Sequence, residues 1–458
     1  MSKHREAKDL TQGGIAPHLV HLALPILGTS FIQMLYSFID MAWVGRLSAE
    51  SVAATGAASV FTWLASSISL LNKVAAEVSV SNALGRHERQ EARDYAGHTA
   101  TLSLIMGGMV MFIYGLFSNS LIGVYELATH IHEMSVSYLR IVAFGMPLVF
   151  MTVSFTGIYN ATGHSKIPFV ISTIGLVLNI LLDPLLIFVF DLGVEGAAYA
   201  TVISQTVVLL LFLFQMLYKD QLLGGIKIIT RLTKDITLSI LRIGTPVALM
   251  NSLFAFINMS LGRLASLYGG HLGVMSLTTG GQLEGLCWNT AQGFSTALSA
   301  FVGQNYGANR YDRIFQGVRY TLILSLMVGV AGFFLYYFRG EALFALIVPE
   351  QAAYTAGGIY LGIQALPQIF SMLEITAQGF FYGVRKTLPP SLISIIGNLL
   401  RIPAALVLLP MTGQITTLWW VIAASSILKG VVSGAWYLYE RGRRFRSLQT
   451  TESPQLSE

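Results

Sequence analysis

The feature of this sequence that most constrains its fold is a series of long apolar segments with almost no charge. The segment from residue 167 to residue 190, for example, holds a single acidic residue, Asp183. Of the 458 residues only 11% are charged, whereas a soluble domain carries about 25%. Segments of about 20 apolar residues can cross the roughly 30 Å hydrocarbon core of a bilayer as helices. Because the segments do not alternate between apolar and polar positions as barrel strands do, the sequence predicts an all-α integral membrane protein.

Twelve segments are long and apolar enough to be transmembrane helices. They lie at residues 18–44, 54–82, 95–118, 134–160, 166–190, 196–217, 237–266, 276–305, 318–338, 356–383, 388–410 and 416–439. We therefore expect an N-terminal tail at 1–17 and a six-helix lobe at 18–217. A linker at 218–236, a second six-helix lobe at 237–439 and a basic tail at 440–458 follow.

The basic residues indicate the orientation of these helices. Of the 28 Lys and Arg residues, 21 fall in the tails and in the loops on the same side as the tails. Only Arg46, Arg263 and Arg339 lie on the opposite side, and four lie within spans. Cytoplasmic loops are the ones that carry excess Lys and Arg. We expect a multi-pass membrane protein with both termini in the cytoplasm, and we expect no nucleic-acid partner.

Several sequence patterns that are typical of enzymes, and of folds held together by disulfides or metal ions, are missing. The sequence contains no GxxxxGK[ST], HExxH or GxSxG pattern, so nothing indicates that the chain itself hydrolyses ATP or an ester. The single cysteine, Cys287, excludes an internal disulfide and a cysteine metal site. We expect no enzymatic activity and no cofactor.

The two halves of the chain resemble each other at an offset of 222 residues. Tyr138-Leu139 corresponds to Tyr360-Leu361, and Pro168 corresponds to Pro390. Six spans per repeat is an even number, so both halves enter the membrane in the same direction, as a parallel repeat. Two such bundles leave a cleft between them, which rocking can open to alternate sides. This organisation favours a transporter, with a channel or a structural protein as the alternatives.

The first half carries polar residues at membrane depth, where an ionisable side chain is costly and is a functional candidate. In the first helix, spacings of three and four residues put one set of side chains on a common face; the set is Gln33, Tyr36, Ser37 and Asp40. The fifth helix carries Asn179 and Asp183, and the sixth carries Thr201 and Gln205. These residues predict a polar site among three helices.

Two kinds of ion suit such a site. Neighbouring carboxylates in a medium of low dielectric constant, here Asp40 and Asp183, can share a proton. Their oxygens, together with the Asn179 amide and the Thr201 hydroxyl, can instead bind Na⁺, since small hard cations take oxygen ligands. The sequence does not choose between H⁺ and Na⁺. The alternative interpretation is that these groups only hold the helices together.

Further residues are candidates for motion and for cargo contact. Pro25 cannot donate a hydrogen bond to the carbonyl of His21, so it loosens the first helix and can let it bend. Glu284 and Glu374 are candidates to face the cleft, beside Gln33, Tyr36, Ser37 and Gln205, and to attract cationic cargo. At the 222 offset, Arg401 stands where the first half has Asn179, and Ala405 and Ala423 stand where it has Asp183 and Thr201. We therefore expect cation coupling to be concentrated in the first half.

An ordered set of motifs resembles the multidrug and toxic compound extrusion (MATE) family. The motifs are Leu22-Ala23-Leu24-Pro25 with Asp40 and Val44-Gly45-Arg46-Leu47, the stretch from Tyr159 to Pro168, the stretch from Gly193 to Thr201, and Val302-Gly303-Gln304-Asn305-Tyr306-Gly307-Ala308. The resemblance runs from about residue 17 to about residue 440. Within the family the chain is similar to the DinF-like prokaryotic branch, whose first-half cation site matches Asp40, Asn179, Asp183 and Thr201.

The resemblance implies a secondary active antiporter with two six-helix bundles. It implies export of organic compounds, often cationic and amphipathic, in exchange for H⁺ or Na⁺ by alternating access, and bending of the first helix at Pro25. The expected partners are small organic substrates and the lipid bilayer, and the expected state is a monomer. The alternative function is a flippase for lipid-linked saccharides, which belongs to the same superfamily. Such a protein needs a strongly cationic cavity, whereas the spans here hold four basic residues.

Overall fold

The structure, a computed structural model, describes residues 6–220 and 223–452, without the side chains of Ala49 and of residues 444–452. The predicted tails and linker therefore lie partly outside the described residues, at 1–5, 221–222 and 453–458. The described chain is all-helical. Its α-helices are α1 (Ile15–Val44), α2 (Ala49–Gly85), α3 (Arg89–Gly123), α4 (Thr129–Ala161), α5 (Lys166–Pro184), α6 (Gly193–Lys219), α7 (Lys234–Gly307), α8 (Tyr311–Ala345), α9 (Gln351–Gly383), α10 (Leu388–Leu399), α11 (Arg401–Thr412) and α12 (Thr416–Glu452).

The long α7 is two spans joined by a reversal. Its 74 residues would extend about 110 Å as one helix, several times the membrane core. Gly270 breaks it with φ 56° and ψ −146°, a conformation open to glycine because it has no Cβ. A Cβ on Gly273 would lie 2.5 Å from the Ala265 carbonyl oxygen, so the chain folds back on itself here. The two limbs are the predicted spans at 237–266 and 276–305.

The fifth helix of each half departs from regular α-helix, at its C-terminal end in the first half and near its middle in the second half. After Pro184, α5 continues as a π-helical turn, Leu185–Val189. In the second half α10 and α11 are separated at Leu400, and together they form one apolar stretch of 25 residues. Pro403 has no N–H group to donate to the preceding turn, which explains the separation.

The predicted number of spans agrees with the helices of the described chain. Ten helices are long and apolar enough to cross a membrane, with α10 and α11 taken together. Counting the two limbs of α7 separately and adding the 33-residue α9 gives the twelve predicted spans. The fold class predicted from the sequence is confirmed.

The internal repeat appears in the helix boundaries. The pairs α3 and α8, and α4 and α9, begin and end 222 residues apart, and α5 and α10 begin 222 residues apart. Left-handed backbone residues recur at the same spacing in the turns; the pairs are His87 and Asn309, Gly163 and Arg385, and Asp191 and Gly413. The 222-residue correspondence therefore holds from the end of α2 to the start of α6.

The chain divides into two compact units. The first runs to Ser252 and includes Ser299–Arg310 and Gly383–Arg385, and the second holds the remainder from Leu253 onward. In the first unit, α4 packs against α2, α3 and α6, while α5 packs against α1 and α6. In the second unit, α12 packs against α10 and α11, and the rings of Tyr360 and Trp419 meet edge to face at 4.8 Å.

The segment that precedes α1 is tied to the first unit by backbone hydrogen bonds. The Lys8 N–H group donates to the Thr162 carbonyl oxygen at 2.9 Å, and the Leu10 N–H group donates to Gln304 Oε1 at 2.9 Å. The Asn305 amide donates to the Leu10 carbonyl oxygen at 3.2 Å, and the Leu10 side chain is buried. The described part of the predicted N-terminal tail is thus held against the C-terminal ends of α4 and α7.

Candidate functional site

The polar residues of the first half meet where α1, α5 and α6 pack together. Asn179 and Asp183 lie one turn apart on α5 and are fully buried. The Asn179 amide nitrogen donates a hydrogen bond to Asp183 Oδ1 at 3.1 Å. Because α5 packs against both α1 and α6, this pair faces the two helices that carry Asp40 and Thr201.

Asp40 and Asp183 share one environment. Their side chains lie close enough for their charges to interact, and the phenol groups of Tyr36 and Tyr138 lie close to both carboxylates. The Tyr36 hydroxyl in turn lies beside the hydroxyls of Thr201 and Ser204 on α6. The structure therefore brings together Tyr36, Asp40, Asn179, Asp183 and Thr201.

Three acceptor oxygens in this group are buried without a donor. They are Asp40 Oδ1, Asn179 Oδ1 and Asp183 Oδ2, and none receives a hydrogen bond from the described part of the chain. A buried acceptor that lacks a donor is costly, and a buried charge costs more. Two carboxylates and an amide contribute these oxygens, a set that suits a proton or a small hard cation. Such an ion would give the oxygens a partner and offset the cost of burying them.

Softer metal ions have no comparable site. Within residues 6–220 and 223–452, no three His, Cys, Asp or Glu side chains converge in a way that would hold a metal ion. The candidate site has two carboxylates, and its remaining ligands are neutral oxygens. This set of oxygen ligands suits H⁺ or a small hard cation better than a transition metal.

The other candidates on α1 and α6 differ in exposure. Gln33 and Ser37 are exposed, and Gln205 is half-buried. The Ser37 hydroxyl donates to the carbonyl oxygen of Gln33 within its own helix, at 3.4 Å. The side chains of Gln33 and Ser37 therefore remain open to contact from outside the packed helices. They do not belong to the group of buried acceptor oxygens on Asp40, Asn179 and Asp183.

The predicted hinge residue, Pro25, lies inside a continuous helix. It is buried, and α1 runs through it from Ile15 to Val44. The Thr29 hydroxyl donates to the Pro25 carbonyl oxygen at 2.9 Å, and the Ser30 hydroxyl donates to the Ile26 carbonyl oxygen at 3.2 Å. Side-chain hydrogen bonds to helix carbonyls of this kind often bend a helix.

Glu284 and Glu374 lie in the second unit, where each is bonded to neighbouring side chains. Glu284 accepts hydrogen bonds from the Tyr360 hydroxyl at 2.6 Å and the Gln368 amide at 3.0 Å. Glu374 is buried and pairs with Lys429, whose Nζ lies 3.2 Å from Glu374 Oε2. Their predicted contact with cargo stays a prediction.

Two residues of the first-half site were not identified from the sequence. Ser204 lies three residues after Thr201, on the same face of α6, so helical spacing was the signal that would have found it. Tyr138 lies on α4, and its place beside the carboxylates depends on how α4 packs against α5 and α6.

Comparisons with known proteins identify the family and the fold of the chain. A sequence model of the MatE family matches the chain twice, at residues 25–185 and 246–407. The probable multidrug resistance protein NorM of Thermotoga maritima is 26% identical over 407 residues, which are 86% of each protein. The multidrug export protein MepA of Staphylococcus aureus is 19% identical over 410 residues, which are 89% of this chain and 90% of its own.

Solved structures show the same fold. An outward-facing multidrug resistance MATE family transporter of the MOP superfamily superimposes with a TM-score of 0.89 at 21% identity, over 96% of this chain and 99% of its own. A MOP superfamily transporter from Pyrococcus furiosus gives a TM-score of 0.90 at 21% identity, with the same coverage. The two matches of the family model lie one in each half and together cover most of the chain, so the protein belongs to the MatE family of multidrug and toxic compound extrusion transporters.

Proposed function

We propose that the protein is a secondary active antiporter that exports organic compounds, often cationic and amphipathic, in exchange for H⁺ or Na⁺. The observation that carries this proposal is the group of three buried acceptor oxygens, on Asp40, Asn179 and Asp183, that have no donor within the described residues. Relatives named as multidrug resistance and multidrug export proteins support the class of substrate.

The coupling ion would bind to Asp40, Asn179, Asp183 and Thr201. Without an ion, two carboxylates repel each other in a medium of low dielectric constant, so α1 and α5 are pushed apart. With a proton or Na⁺ bound, the repulsion falls and the oxygens gain a partner. The ion therefore changes the relative free energy of two packings of α1, which is what alternating access requires.

The available gradients are large enough to drive such a change. One elementary charge crossing 100 mV contributes about 2.3 kcal/mol, and one pH unit contributes about 1.4 kcal/mol. Gln33, Tyr36, Ser37 and Gln205, next to the ion site on α1 and α6, are the proposed contacts for cargo. Pro25 is the proposed point of bending, as the similarity to the DinF-like branch implies.

The setting of the protein is part of the proposal. The chain is a multi-pass membrane protein, and we place it in the bacterial cytoplasmic membrane as a monomer with both termini inside. Its partners are small organic molecules and the bilayer. The flippase alternative requires a cavity rich in free cations. The two buried bases of the second unit, Arg401 and Lys429, lie instead beside Glu284 and Glu374, which favours the antiporter.

The test is transport by the purified protein in liposomes. Uptake of ethidium, a fluorescent organic cation, is followed under an imposed H⁺ gradient and, separately, under an imposed Na⁺ gradient. We expect gradient-driven accumulation by the wild type and at least a tenfold loss in Asp40→Asn and Asp183→Asn. Asp191→Asn is the matched control, since Asp191 lies in a loop and Asn tolerates its left-handed backbone.

The outcomes separate the functional classes. Dye movement that follows only the dye's own gradient, and that both substitutions leave unchanged, would favour a channel and would refute the antiporter. Accumulation under only one of the two gradients identifies the coupling ion.

A further inference from the structure

The second unit contains four ionisable side chains buried together among its helices. They are Glu284 on α7, Glu374 on α9, Arg401 on α11 and Lys429 on α12. Glu374, Arg401 and Lys429 are buried, and Glu284 is partly buried. Two acids and two bases balance to zero net charge. We call these four residues the charge cluster.

Each member of the charge cluster is held by defined partners. Glu374 accepts a hydrogen bond from the Ser394 hydroxyl at 2.5 Å in addition to its ion pair with Lys429. The Arg401 guanidinium donates to the Ser425 hydroxyl at 2.6 Å and to the Ser426 hydroxyl at 2.9 Å. Hydrogen bonds and ion pairs of this kind lower the cost of burying a charge.

Arg401 connects the two acids electrostatically. It is bonded to serines rather than to a carboxylate, and its positive charge interacts with both Glu284 and Glu374. Lys429 interacts with Glu374 and is repelled by Arg401. The remaining titratable groups that face Glu284 are Tyr360, Cys287 and Tyr336. Removal of Arg401 would leave the charge cluster with one net negative charge.

The repeat aligns Arg401 with the ion site of the first half. At the 222-residue spacing shown by the helix ends and the turns, Arg401 corresponds to Asn179, Ser426 to Ser204 and Tyr360 to Tyr138. All three of the first-half residues belong to, or adjoin, the group around Asp40 and Asp183. The bond from the Arg401 guanidinium to Ser426 therefore joins the same two repeat positions that Asn179 and Ser204 occupy.

The contrast between the halves lies in where the positive charge is. In the first half, Asn179 Oδ1 and Ser204 Oγ are buried with no hydrogen-bond partner that meets the usual geometry within the described residues. In the second half, the corresponding positions hold a guanidinium and the serine that accepts its hydrogen bond. The first half therefore has acceptor oxygens that a bound cation could contact. In the second half the positive charge at the corresponding position is the Arg401 guanidinium.

We propose that Arg401 is a covalently attached substitute for the coupling cation, which neutralises Glu284 beside the Glu374–Lys429 ion pair and keeps the second half from binding a cation of its own. The inference rests on the proposed function, since it takes the first half as the place of cation uptake. It assigns Arg401 the role of limiting the protein to one cation site. Glu284 and Glu374 then carry no coupling ion as long as Arg401 is present.

The test replaces Arg401 by the residue of the first half, in a protein whose first-half site is removed. Asp40→Asn combined with Asp183→Asn forms the background, and ²²Na⁺ binding is measured by equilibrium dialysis at pH 8. Protons bound are counted by potentiometric titration of the same detergent-solubilised samples. We expect the background to bind no Na⁺. Addition of Arg401→Asn should give one further ion per chain, either Na⁺ or H⁺.

Two control variants isolate the charge. Arg401→Lys keeps the positive charge and should bind no further ion. Arg401→Asn combined with Glu284→Gln restores zero net charge in the charge cluster and should also bind none. If Arg401→Asn remains folded and binds neither ion, or if Arg401→Lys binds as much as Arg401→Asn does, the proposal is overturned.

A further variant covers the case in which Arg401→Asn does not fold. Arg401→His supplies a cation below the pKa of the imidazole and loses it above. We expect this variant to bind no Na⁺ at pH 5.5 and up to one Na⁺ per chain at pH 9. Absence of Na⁺ binding at pH 9, with no titrating proton across this range beyond that of the imidazole itself, would refute the proposal.

These measurements separate the inference from the function on which it rests. The comparison of wild type with the background tests whether the first half binds the coupling ion. The comparison of the background with its Arg401 variants does not involve Asp40 or Asp183. Failure of one comparison therefore leaves the other readable.

Discussion

The correspondence between the two halves, rather than any charge, identifies the Ser204 hydroxyl as a candidate site residue. It is buried on α6 beside the Tyr36 hydroxyl, and its counterpart Ser426 accepts a hydrogen bond from the Arg401 guanidinium. By this correspondence the Ser204 oxygen points to the place where a cation would sit in the first half. It is therefore a candidate fifth residue of the ion site.

We expect Ser204→Ala to weaken binding of the coupling ion while leaving the fold intact. Loss of one polar contact is worth about 1 kcal/mol, so ion affinity should fall roughly fivefold to tenfold. The measurement is ion-dependent thermal stabilisation of the purified protein. Ser103→Ala, which removes a buried hydroxyl from α3 outside the site, is the control, and equal effects of the two substitutions would argue against a role for Ser204.

The residues that sequence reasoning identified are those whose cost in a membrane is evident without a structure. Asp40, Asp183 and Asn179 stand out because a charged or amide side chain within an apolar membrane segment is energetically costly and therefore indicates a functional site. Ser204 and Tyr138 do not stand out, because hydroxyl groups are common in such segments and form hydrogen bonds within their own helix. The pairing of Glu374 with Lys429 was also not predictable, since it depends on how α9 packs against α12.

At the scale of the helices, glycine sets how closely α4 approaches α2. A Cβ on Gly157 would lie 2.5 Å from the Lys73 carbonyl oxygen, and a Cβ on Gly379 would lie 2.6 Å from the Ser295 carbonyl oxygen. Gly379 and Ser295 are the repeat counterparts of Gly157 and Lys73. Both halves therefore use the same close approach of two backbones.

We expect Gly157→Ala and Gly379→Ala each to destabilise the protein, because the added methyl group meets backbone that cannot rotate away. Overpacking of this kind costs about 1–3 kcal/mol, which should appear as a lower apparent Tm in detergent. Gly108→Ala is the matched control, since a Cβ at Gly108 would meet nothing within 4 Å. A Tm for Gly157→Ala equal to that of Gly108→Ala would contradict the expected close approach.

The second prediction at this scale concerns α1. Pro25 leaves the His21 carbonyl without its usual helical donor, and the bond from Thr29 to the Pro25 carbonyl further loosens the same region. We expect Pro25→Ala to stiffen α1, so that ion binding at Asp40 is retained while the rate of ethidium export falls severalfold.

The control for Pro25 is another proline of the same helix. Pro17 lies in the first turn of α1, where a backbone N–H has no partner within the helix, so Pro17→Ala should leave the export rate unchanged. Equal export by Pro25→Ala and the wild type would remove bending of α1 from the mechanism. Loss of ion binding together with export would assign Pro25 a structural role.

The helices themselves were largely predictable, and the exceptions have local causes. All twelve predicted spans overlap helices of the structure, because long apolar runs are a strong signal. The direct junction of the two limbs of α7 at residues 267–275 was not predicted. It depends on Gly270 adopting a left-handed conformation, which lets two helices meet without a loop. The break between α10 and α11 depends on Pro403, whose effect varies with the packing around it.

At the scale of the whole molecule, the repeat carries more information than either half alone. From the end of α2 to the start of α6 the helix ends and turns are duplicated in the second half, whereas the charges within the helices are not. Duplicated backbone with diverged polar residues is what a two-lobed transporter requires if only one lobe is to bind the coupling ion. The sequence revealed this divergence because Arg401 and Asn179 align, but the environment of Arg401 became visible only in the packed structure.

A further prediction at this scale is the orientation of the helices in the membrane. Along the chain, alternate turns, such as those after α2 and α7, lie in basic parts of the sequence, and the turns between them are poor in Lys and Arg. Because excess positive charge stays in the cytoplasm, we expect single cysteines at Gln90 and Asp312 to be shielded in intact cells. Cysteines at His130 and Gln414 should be accessible from outside. All four residues are exposed, so burial within the protein does not confuse the result.

The experiment uses Cys287→Ser as a background, since Cys287 is the only cysteine of the chain. Intact cells that carry each single-cysteine variant are treated with a membrane-impermeant maleimide, and labelling is compared with that of permeabilised cells. We expect labelling of the His130→Cys and Gln414→Cys variants in both conditions, and of Gln90→Cys and Asp312→Cys only after permeabilisation. The reverse pattern would place the termini outside. A pattern in which Gln90→Cys and Asp312→Cys differ would contradict the parallel repeat itself, because these residues follow α2 and α7 at corresponding places in the two halves.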